Sequence, residues 1–350
     1  MKMIFAGPLR PGSTSLSRLN TFRSLGCEVH PVDYTPFCEE GPRLLRAVER
    51  RVKFGPGIWK LNRSFEEEVN SFKPQLVWVE KALGLWPSTV ENITAPMVHY
   101  SPDDYLGKGL FQELILRSLR SYAVVLTTKT FNVSELLQRG ARKCHYVGNA
   151  FDPEIHRPHV LPAAEKSRLG ADVCFLGRWE PDREETLARL AEAGMRLRVW
   201  GRDWARRRLP KALRPCVVPN GAYGDDYAKV ISASKIVLNI LSKWYRDEET
   251  TRSIEIPACC GFMLAERTPK HLEYFVEGQE AEFYATFPEL LEKVRFYLRA
   301  EERRLDIARA GYERCLRSGY SYRDRLTSVL EYLERQGVVP AGTVPKGVRS

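Results

Sequence analysis

Two successive series of apolar strands alternating with helices, separated by a proline-rich break, constrain this chain more than any other feature of its sequence. In the first series Lys2–Ala6, Glu28–Val32, Gln75–Val79, Pro96–Tyr100, Ala123–Thr128 and Cys144–Val147 read as short apolar strands, with helical patterns between most of them. The first strand runs into Gly7, Pro8, Pro11 and Gly12, then a helix from about Ser13 to Leu25 that Gly26 ends. The pattern breaks at Asn149–Pro162, where Pro153, Pro158 and Pro162 stand among few apolar residues. A second series follows: strands Asp172–Leu176, Arg196–Trp200, Lys235–Leu241 and Phe262–Ala265, with helices near 184–193, 225–233 and 251–259. The last third reads as helices 287–299, 302–317 and 322–335. Apolar βα alternation predicts parallel sheets covered on both faces.

At roughly 150 residues per domain, 350 residues make two such domains. The boundaries read as an N-terminal Rossmann-like domain over 1–150, a linker over 151–170 and a second Rossmann-like domain over 171–318. A helix over 319–336 packs back on the first domain, and a flexible tail spans 337–350. Two doubly wound halves facing each other make a cleft, and in open α/β sheets ligands sit outside the carboxyl ends of the strands.

The composition suits a soluble globular protein, with 43% hydrophobic and 28% charged residues. The longest apolar runs, such as Ala123–Leu126 and Ile236–Leu241, are far too short to span a bilayer. MKMIFAGPLRPGS runs straight into a strand and lacks the apolar region of a signal peptide, so the expectation is cytoplasmic. The eight cysteines form no CxxC pair and no zinc-finger spacing, which predicts inert thiols. A net charge of +10 calls for an anionic partner: nucleic acid, a membrane surface or a phosphorylated small molecule. The basic residues are dispersed and no helix-turn-helix, RRM or zinc-finger pattern appears, which argues against nucleic acid.

The segment LNILSKWYRDEETTRSIEIPACCGFMLAER, 238–267, carries the most chemistry. A buried strand ends at Leu241, an acidic loop follows, and a helix starts near Thr250 or Thr251, both plausible caps. Arg252 and Glu255, three apart, share a face of the first turns. A helix N-terminus with an arginine can hold phosphate, and a nearby carboxylate can accept two hydroxyl hydrogen bonds from a ribose. The plainer alternative is a surface ion pair.

This segment resembles the CgeB-like glycosyltransferases and, more broadly, the GT-B family with the E-x7-E motif. The family pattern runs strand, loop, R-x-x-E, a small-residue helix, Cys-Gly and a short strand. The resemblance places Glu255 at the second acidic position, which binds the donor ribose. Asp247 stands where the first glutamate belongs, with Glu248 and Glu249 beside it as alternatives for the residue that meets the sugar. YVGNAFDPEIHRP, 146–158, resembles the family's interdomain segment, and VCFLGRWEPDREETLARL, 173–190, its first donor-side strand, loop and helix. There the resemblance makes Arg178 and Arg183 contacts of the diphosphate. WGRDW, 200–204, matches a YG-x-x-W segment, and GAYGDDYAKVISASKIVLNI, 221–240, resembles the stretch where Tyr223 meets the nucleotide. ERRLDIARAGYERCLRSGYSYRDRLTSVLEYL matches the closing helices. The implied fold is GT-B, with two Rossmann-like domains and C-terminal helices crossing back.

The first half matches less closely. Gly12 and Ser13, at the first helix start, could face a phosphate, or simply make a βα turn. MVHYSPDDY, 97–105, runs into an acidic loop in which Asp103 or Asp104 could serve as general base to an acceptor hydroxyl. His99, inside an apolar strand, reads better as a core residue. No D-x-D metal signature appears, and arginines can neutralise a diphosphate without metal, so no cofactor and no metal are expected. GPRLLRAVERRVKFGPGIWKLN, 41–62, is a basic amphipathic helix followed by Pro56, Trp59 and Lys60, with Leu44, Leu45, Val48 and Val52 on one face. It can lie on anionic lipid, or pack its apolar face on the domain and leave the basic face solvated. A second basic cluster surrounds Arg202, Arg206, Arg207 and Arg208.

The expectation is a glycosyltransferase (EC 2.4, hexosyltransferase-like) that moves a sugar from a nucleoside-diphosphate sugar to a hydroxyl acceptor, a glycan or lipid-linked group. Its setting would be cell-envelope polysaccharide or lipid glycosylation, cytoplasmic or peripheral at the inner membrane face through helix 43–54. A non-catalytic nucleotide-sugar or partner-binding module is the alternative, and nucleic-acid binding a weaker one.

Overall fold

The computed structural model describes residues 1–343 apart from 40–41, 82–83, 108–111 and 202; the side chains of 38–39, 43, 45 and 50 are also outside the description. The chain divides into two units, Met1–Gly148 with Tyr322–Ser350, and Asn149–Ser321.

The first unit holds a parallel sheet of β1 (Lys2–Gly7), β2 (Glu28–Asp33), β3 (Leu76–Glu80), β4 (Met97–Ser101), β5 (Val124–Thr127) and β6 (Cys144–Tyr146), in the order β2-β1-β3-β4-β5-β6. Strand side chains alternate between faces. Ile4, Ala6, Val77, Val79 and Val125 therefore fill one core layer, and Met3, Phe5, Trp78, Val98 and Leu126 the other. Both layers are buried along the central strands, which is why β1, β3 and β5 are almost wholly apolar, while the edge strands β2 and β6 are partly exposed and more polar. The second layer is closed by Leu326, Val329, Leu330 and Leu333 of the helix Tyr322–Arg335. The chain does not become featureless at Gly337. That glycine adopts a φ of 68°, and the Val338 N–H reaches the Leu333 carbonyl at 2.9 Å, a Schellman closure. It turns Val339 into the core. Of the expected tail 337–350, the residues 344–350 lie outside the described residues.

The second unit is a parallel sheet of β7 (Val173–Leu176), β8 (Leu197–Trp200), β9 (Val217–Val218), β10 (Ile236–Asn239), β11 (Met263–Glu266) and β12 (Glu282–Tyr284), in the order β12-β11-β10-β7-β8-β9. The outermost strands β9 and β12, of two and three residues, are the ones the sequence pattern does not reveal. Residues 151–170 are packed rather than a free linker: Phe151 pairs with Ser321, Ala163–Leu169 is helical, and Phe151 and Leu169 are buried in the core.

The helix Arg43–Val52 is turned opposite to the packed arrangement the sequence allowed. Glu49, on its polar side, is buried and accepts the Gly57 N–H at 3.2 Å, while Leu44, Val48 and Val52 face solvent. Leu45 and Arg202 lie outside the described side chains.

Polar residues in the core are tied down. Arg18 and Glu80, both buried, form a two-pronged pair, Nε to Oε1 at 2.5 Å and Nη2 to Oε2 at 2.8 Å. The Arg18 guanidinium also donates to Tyr322 Oη at 3.3 Å and Thr14 Oγ1 at 3.2 Å, and lies over the Tyr100 ring at 4.6 Å. Burial raises the Cys144 and Cys174 thiols to about 12, which keeps them protonated and inert.

His99 and His271 are buried neutral imidazoles, lowered by burial to about 3 and about 4. Tyr105 Oη donates to the Leu126 carbonyl at 2.9 Å, so His99 Nδ1 carries a proton toward that hydroxyl at 2.6 Å. Both rings charge in the unfolded chain once the pH falls below the ordinary histidine value near 6.5. Their stabilisation is complete above that pH and is lost as pH falls from 6.5 toward 4 and 3. By pH 5 each costs about 2 kcal/mol of stability. Urea unfolding should show this decline, and His99→Gln should about halve it, His271 supplying the rest; a stability flat between pH 7 and 5 would refute it.

Candidate functional site

In the second unit the chain winds outward from β7 through β8 to β9, then returns to the other side of β7 as β10. The carboxyl ends of β7 and β10 therefore flank a topological switch point, where open α/β sheets bind ligands. Two loops rise there: Gly177–Glu180 after β7, and 240–251 after β10.

The buried pair Arg183–Glu180 joins these loops. Arg183 Nη1 meets Glu180 Oε1 at 2.7 Å and donates to the Arg178 carbonyl at 3.3 Å, while its Nε donates to the Ile240 carbonyl at 3.1 Å. Ser242 Oγ donates to Glu180 Oε2 at 2.9 Å. Burial, then the charge of Arg252, lowers the Arg183 guanidinium to about 10. It stays charged at neutral pH. The Nε and Nη1 donors of Arg183 are spent inside the protein, so in this structure the residue braces the two loops.

Arg252 is differently placed. A Cβ at Gly177 would lie 3.6 Å from Arg252 Nη1, so the guanidinium stands beside the end of β7; glycine is needed there because a Cβ would collide with the Phe175 ring at 2.8 Å. Its Nε is buried with no hydrogen-bond partner. Two guanidinium groups thus stand close together at the switch point, one braced and one unsatisfied, an arrangement that favours an anion. Arg178, exposed, reaches Tyr245 Oη at 3.3 Å. The WGRDW segment has a local role: the Trp204 indole N–H donates to the Gly177 carbonyl at 2.8 Å. A Cβ at Gly201 would collide with that same carbonyl.

The helix Arg252–Ala258 has only seven residues, and Thr251 makes no side-chain cap. Its start is instead held by a buried network. Thr250 N–H and Asn239 Nδ2 both donate to Ser253 Oγ at 3.0 Å. Ser253 Oγ donates to His271 Nε2 at 2.7 Å, because His271 Nδ1 donates to the Glu266 carbonyl at 2.6 Å. The expectation of a threonine cap fails because serine two residues later does this work from inside.

Glu255 is buried, and each of its oxygens has a neighbour. Tyr227 Oη donates to Oε2 at 2.8 Å, and His156 Nε2 stands 3.6 Å from Oε1. The Asp152 N–H donates to His156 Nδ1 at 2.9 Å, which leaves the ring proton on Nε2, facing the carboxylate. Asp152 Oδ1 also accepts the Glu154 N–H at 3.1 Å, the turn that swings His156 back. A carboxylate accepts about four hydrogen bonds, so two partners leave capacity for a diol. Neither His156 nor Tyr227 stood out in the sequence, since their roles depend on a chain reversal and a helix separated from Glu255 by many residues.

Of the three acidic alternatives, Glu249 is buried and accepts from Tyr274 Oη at 2.9 Å and from the Asn149 N–H at 3.4 Å. Asp247 and Glu248 are partly exposed, and Asp247 Oδ2 accepts the Ser242 N–H at 3.2 Å, closing the loop. Tyr223 is exposed, its ring against Gly221.

The first unit carries the remaining candidates. Gly12 has a φ of 73°. Ser13 Oγ donates to the Pro8 carbonyl at 3.0 Å and accepts the Leu16 N–H at 3.2 Å, so it caps the helix Thr14–Ser24. The acidic pair after β4 divides. Asp103 is partly exposed and bridges Lys81 at 3.2 Å. Asp104 is wholly buried, its Oδ1 accepting from Asn132 Nδ2 at 2.9 Å and the Leu106 N–H at 3.0 Å. A group so enclosed cannot take a proton from an acceptor, which removes Asp104 as a base and leaves Asp103. Among the described residues no group of three or more His, Cys, Asp or Glu could hold a metal ion, and no helix is long and apolar enough to cross a membrane.

Tyr227→Phe tests the carboxylate support. It removes one hydrogen bond to a buried charged group, so the free protein should lose about 1.5–3 kcal/mol of stability. An unchanged unfolding free energy would mean the hydroxyl does not support the carboxylate.

Residues 183–331 match a family described as glycosyl transferase-like. No curated protein sequence matches the chain. Solved structures share its architecture. Sucrose-phosphate synthase from Thermosynechococcus elongatus superposes with a TM-score of 0.70 at 12% identity, over 96% of this chain and 99% of that one. HepE from Anabaena, in complex with UDP and glucose, gives 0.65 at 13% identity over 96% and 100%. A glycosyltransferase from Rickettsia africae gives 0.66 at 11% identity over 96% and 97%. Likenesses at such identities establish the fold, which is GT-B.

Proposed function

We propose that this chain of GT-B fold, with its glycosyl transferase-like segment beginning at Arg183, transfers a glycosyl group from a nucleoside-diphosphate sugar to a hydroxyl acceptor. The observation that carries the reading is the unsatisfied Arg252 guanidinium beside the braced Arg183 at the β7–β10 switch point, with the buried Glu255 one turn further along the helix. Charge that develops on a departing nucleoside diphosphate would meet preoriented cations there, the electrostatic means by which such sites lower a barrier. Arg252 and Arg178 neutralise the diphosphate. Glu255 takes the ribose hydroxyls, and Asp247 or Glu248 the sugar. Tyr223 lies against the nucleotide. In the first unit, Asp103 serves the acceptor hydroxyl as base, and the loop at Gly12 and Ser13 lines the acceptor side.

The finer reading is transfer of a hexose in the manner of the CgeB-like group, without metal or other cofactor. The acceptor would be a glycan or lipid-linked group in cell-envelope polysaccharide or lipid synthesis. HepE was solved with UDP and glucose, which supports UDP as the first nucleotide to try.

The test is a thermal-shift panel of UDP, GDP, dTDP and CMP. A ligand at one hundred times its Kd stabilises by about 2.7 kcal/mol, a clear upward shift. Glu255→Gln should lose most of the shift. No shift with any nucleotide sinks the donor site, and binding without turnover favours the non-catalytic module.

A further inference from the structure

The helix Arg43–Val52 presents its apolar side outward. Leu44, Val48 and Val52, at positions i, i+4 and i+8, are 78%, 50% and 59% exposed. Just beyond it in the chain stand Phe54, 62% exposed with its ring stacked on Trp86, and Trp59, 47% exposed near the start of the following helix Pro56–Phe72. Isolated exposed apolar residues are ordinary, but five large ones within sixteen residues make a patch that needs a partner. The helix is not loosely attached. Glu49 holds it from the opposite side through the Gly57 N–H, and Lys53 is bound to Glu113.

Charge identifies the partner. Residues 43–63 contain seven arginines and lysines against the one buried glutamate; outside the segment, Glu113 pairs with Lys53 and Glu67 with Arg63. Arg51 lies exposed beside Val48 and Val52. A second copy of the same surface would bring like charges together, which opposes self-association. Nucleic acid would satisfy the cations but leave the apolar stripe without a role. The stripe is a convex ridge of a helix, so it is not shaped as a groove for a peptide. An anionic lipid surface satisfies both components: acyl chains take the apolar side chains and headgroups the arginines, with tryptophan at the boundary.

We infer that the helix Arg43–Val52, extended by Phe54 and Trp59, docks this protein on an anionic lipid surface. The inference rests on this patch alone and stands or falls independently of glycosyl transfer.

The test is flotation of the full chain with vesicles of phosphatidylcholine, alone or mixed with phosphatidylglycerol. Flotation is expected with the mixed vesicles only, and each basic residue near the surface contributes about fivefold to partitioning. Leu44→Gln, Val48→Gln and Val52→Gln combined should abolish it at an unchanged melting temperature, since these side chains are exposed. Arg51→Glu should weaken it at least fivefold, and the Trp59 emission should shift to the blue on mixing. No flotation with mixed vesicles, equal flotation with neutral ones, or flotation that survives the triple variant overturns the inference. So does a concentration-dependent dimer that the triple variant dissolves, which would assign the face to a second copy.

Discussion

Glu80→Ala is expected to lower the thermal stability of the first unit by about 3–5 kcal/mol, because it strands the Arg18 guanidinium in the core without its two-pronged partner. At roughly 2–4 °C per kcal/mol for a unit of this size, the melting transition should fall by about 6–20 °C. The remaining contacts of Arg18, the hydroxyls of Thr14 and Tyr322, cannot replace a carboxylate. Converting both partners, Arg18→Met with Glu80→Leu, should recover much of the loss, since the pair's desolvation cost goes with its attraction. Calorimetry is the suitable measurement, as a chain of two units need not unfold in one step. A single-variant shift under about 2 °C, or a double variant worse than either single one, would show that the pair is not what holds Tyr322 and its helix to the sheet.

Arg252→Met should separate stability from binding. In the free protein Arg252 stands close to Arg183 with a buried Nε that has no partner, so its removal relieves repulsion and a desolvated donor. The melting temperature without ligand should hold or rise. Nucleoside-diphosphate affinity should fall by about 10- to 150-fold, the value of a hydrogen bond to a charged group. The paired outcome is diagnostic: an anion-binding cation is a cost until its anion arrives. If the variant loses stability and keeps affinity, Arg252 is a structural residue and the diphosphate lies elsewhere. Arg183→Met should behave in the opposite way, since it breaks the contacts that join the β7 and β10 loops.

The two βα series and nearly all their strands were legible in the amino-acid pattern. Strands buried on both faces must be apolar without interruption, and that property is local to each segment. The pattern also marked the segment that holds Arg252 and Glu255, because strand, loop, helix and glycine follow in order there. The short edge strands β9 and β12 escaped, being too few in residues to show a period.

What individual polar residues do depended on the folded arrangement. Asp103 and Asp104 are adjacent and alike in sequence, yet one is at the surface and the other enclosed by Asn132. Arg183 and Arg252 are equally basic, yet one is spent on backbone carbonyls and the other is left unsatisfied. The helix Arg43–Val52 has an apolar face readable in the sequence, but which face turns inward was decided by Glu49 and Gly57. Periodicity reports that a side is apolar. Burial and hydrogen-bond partners depend on residues far along the chain, and these set the charge, access and direction on which function rests.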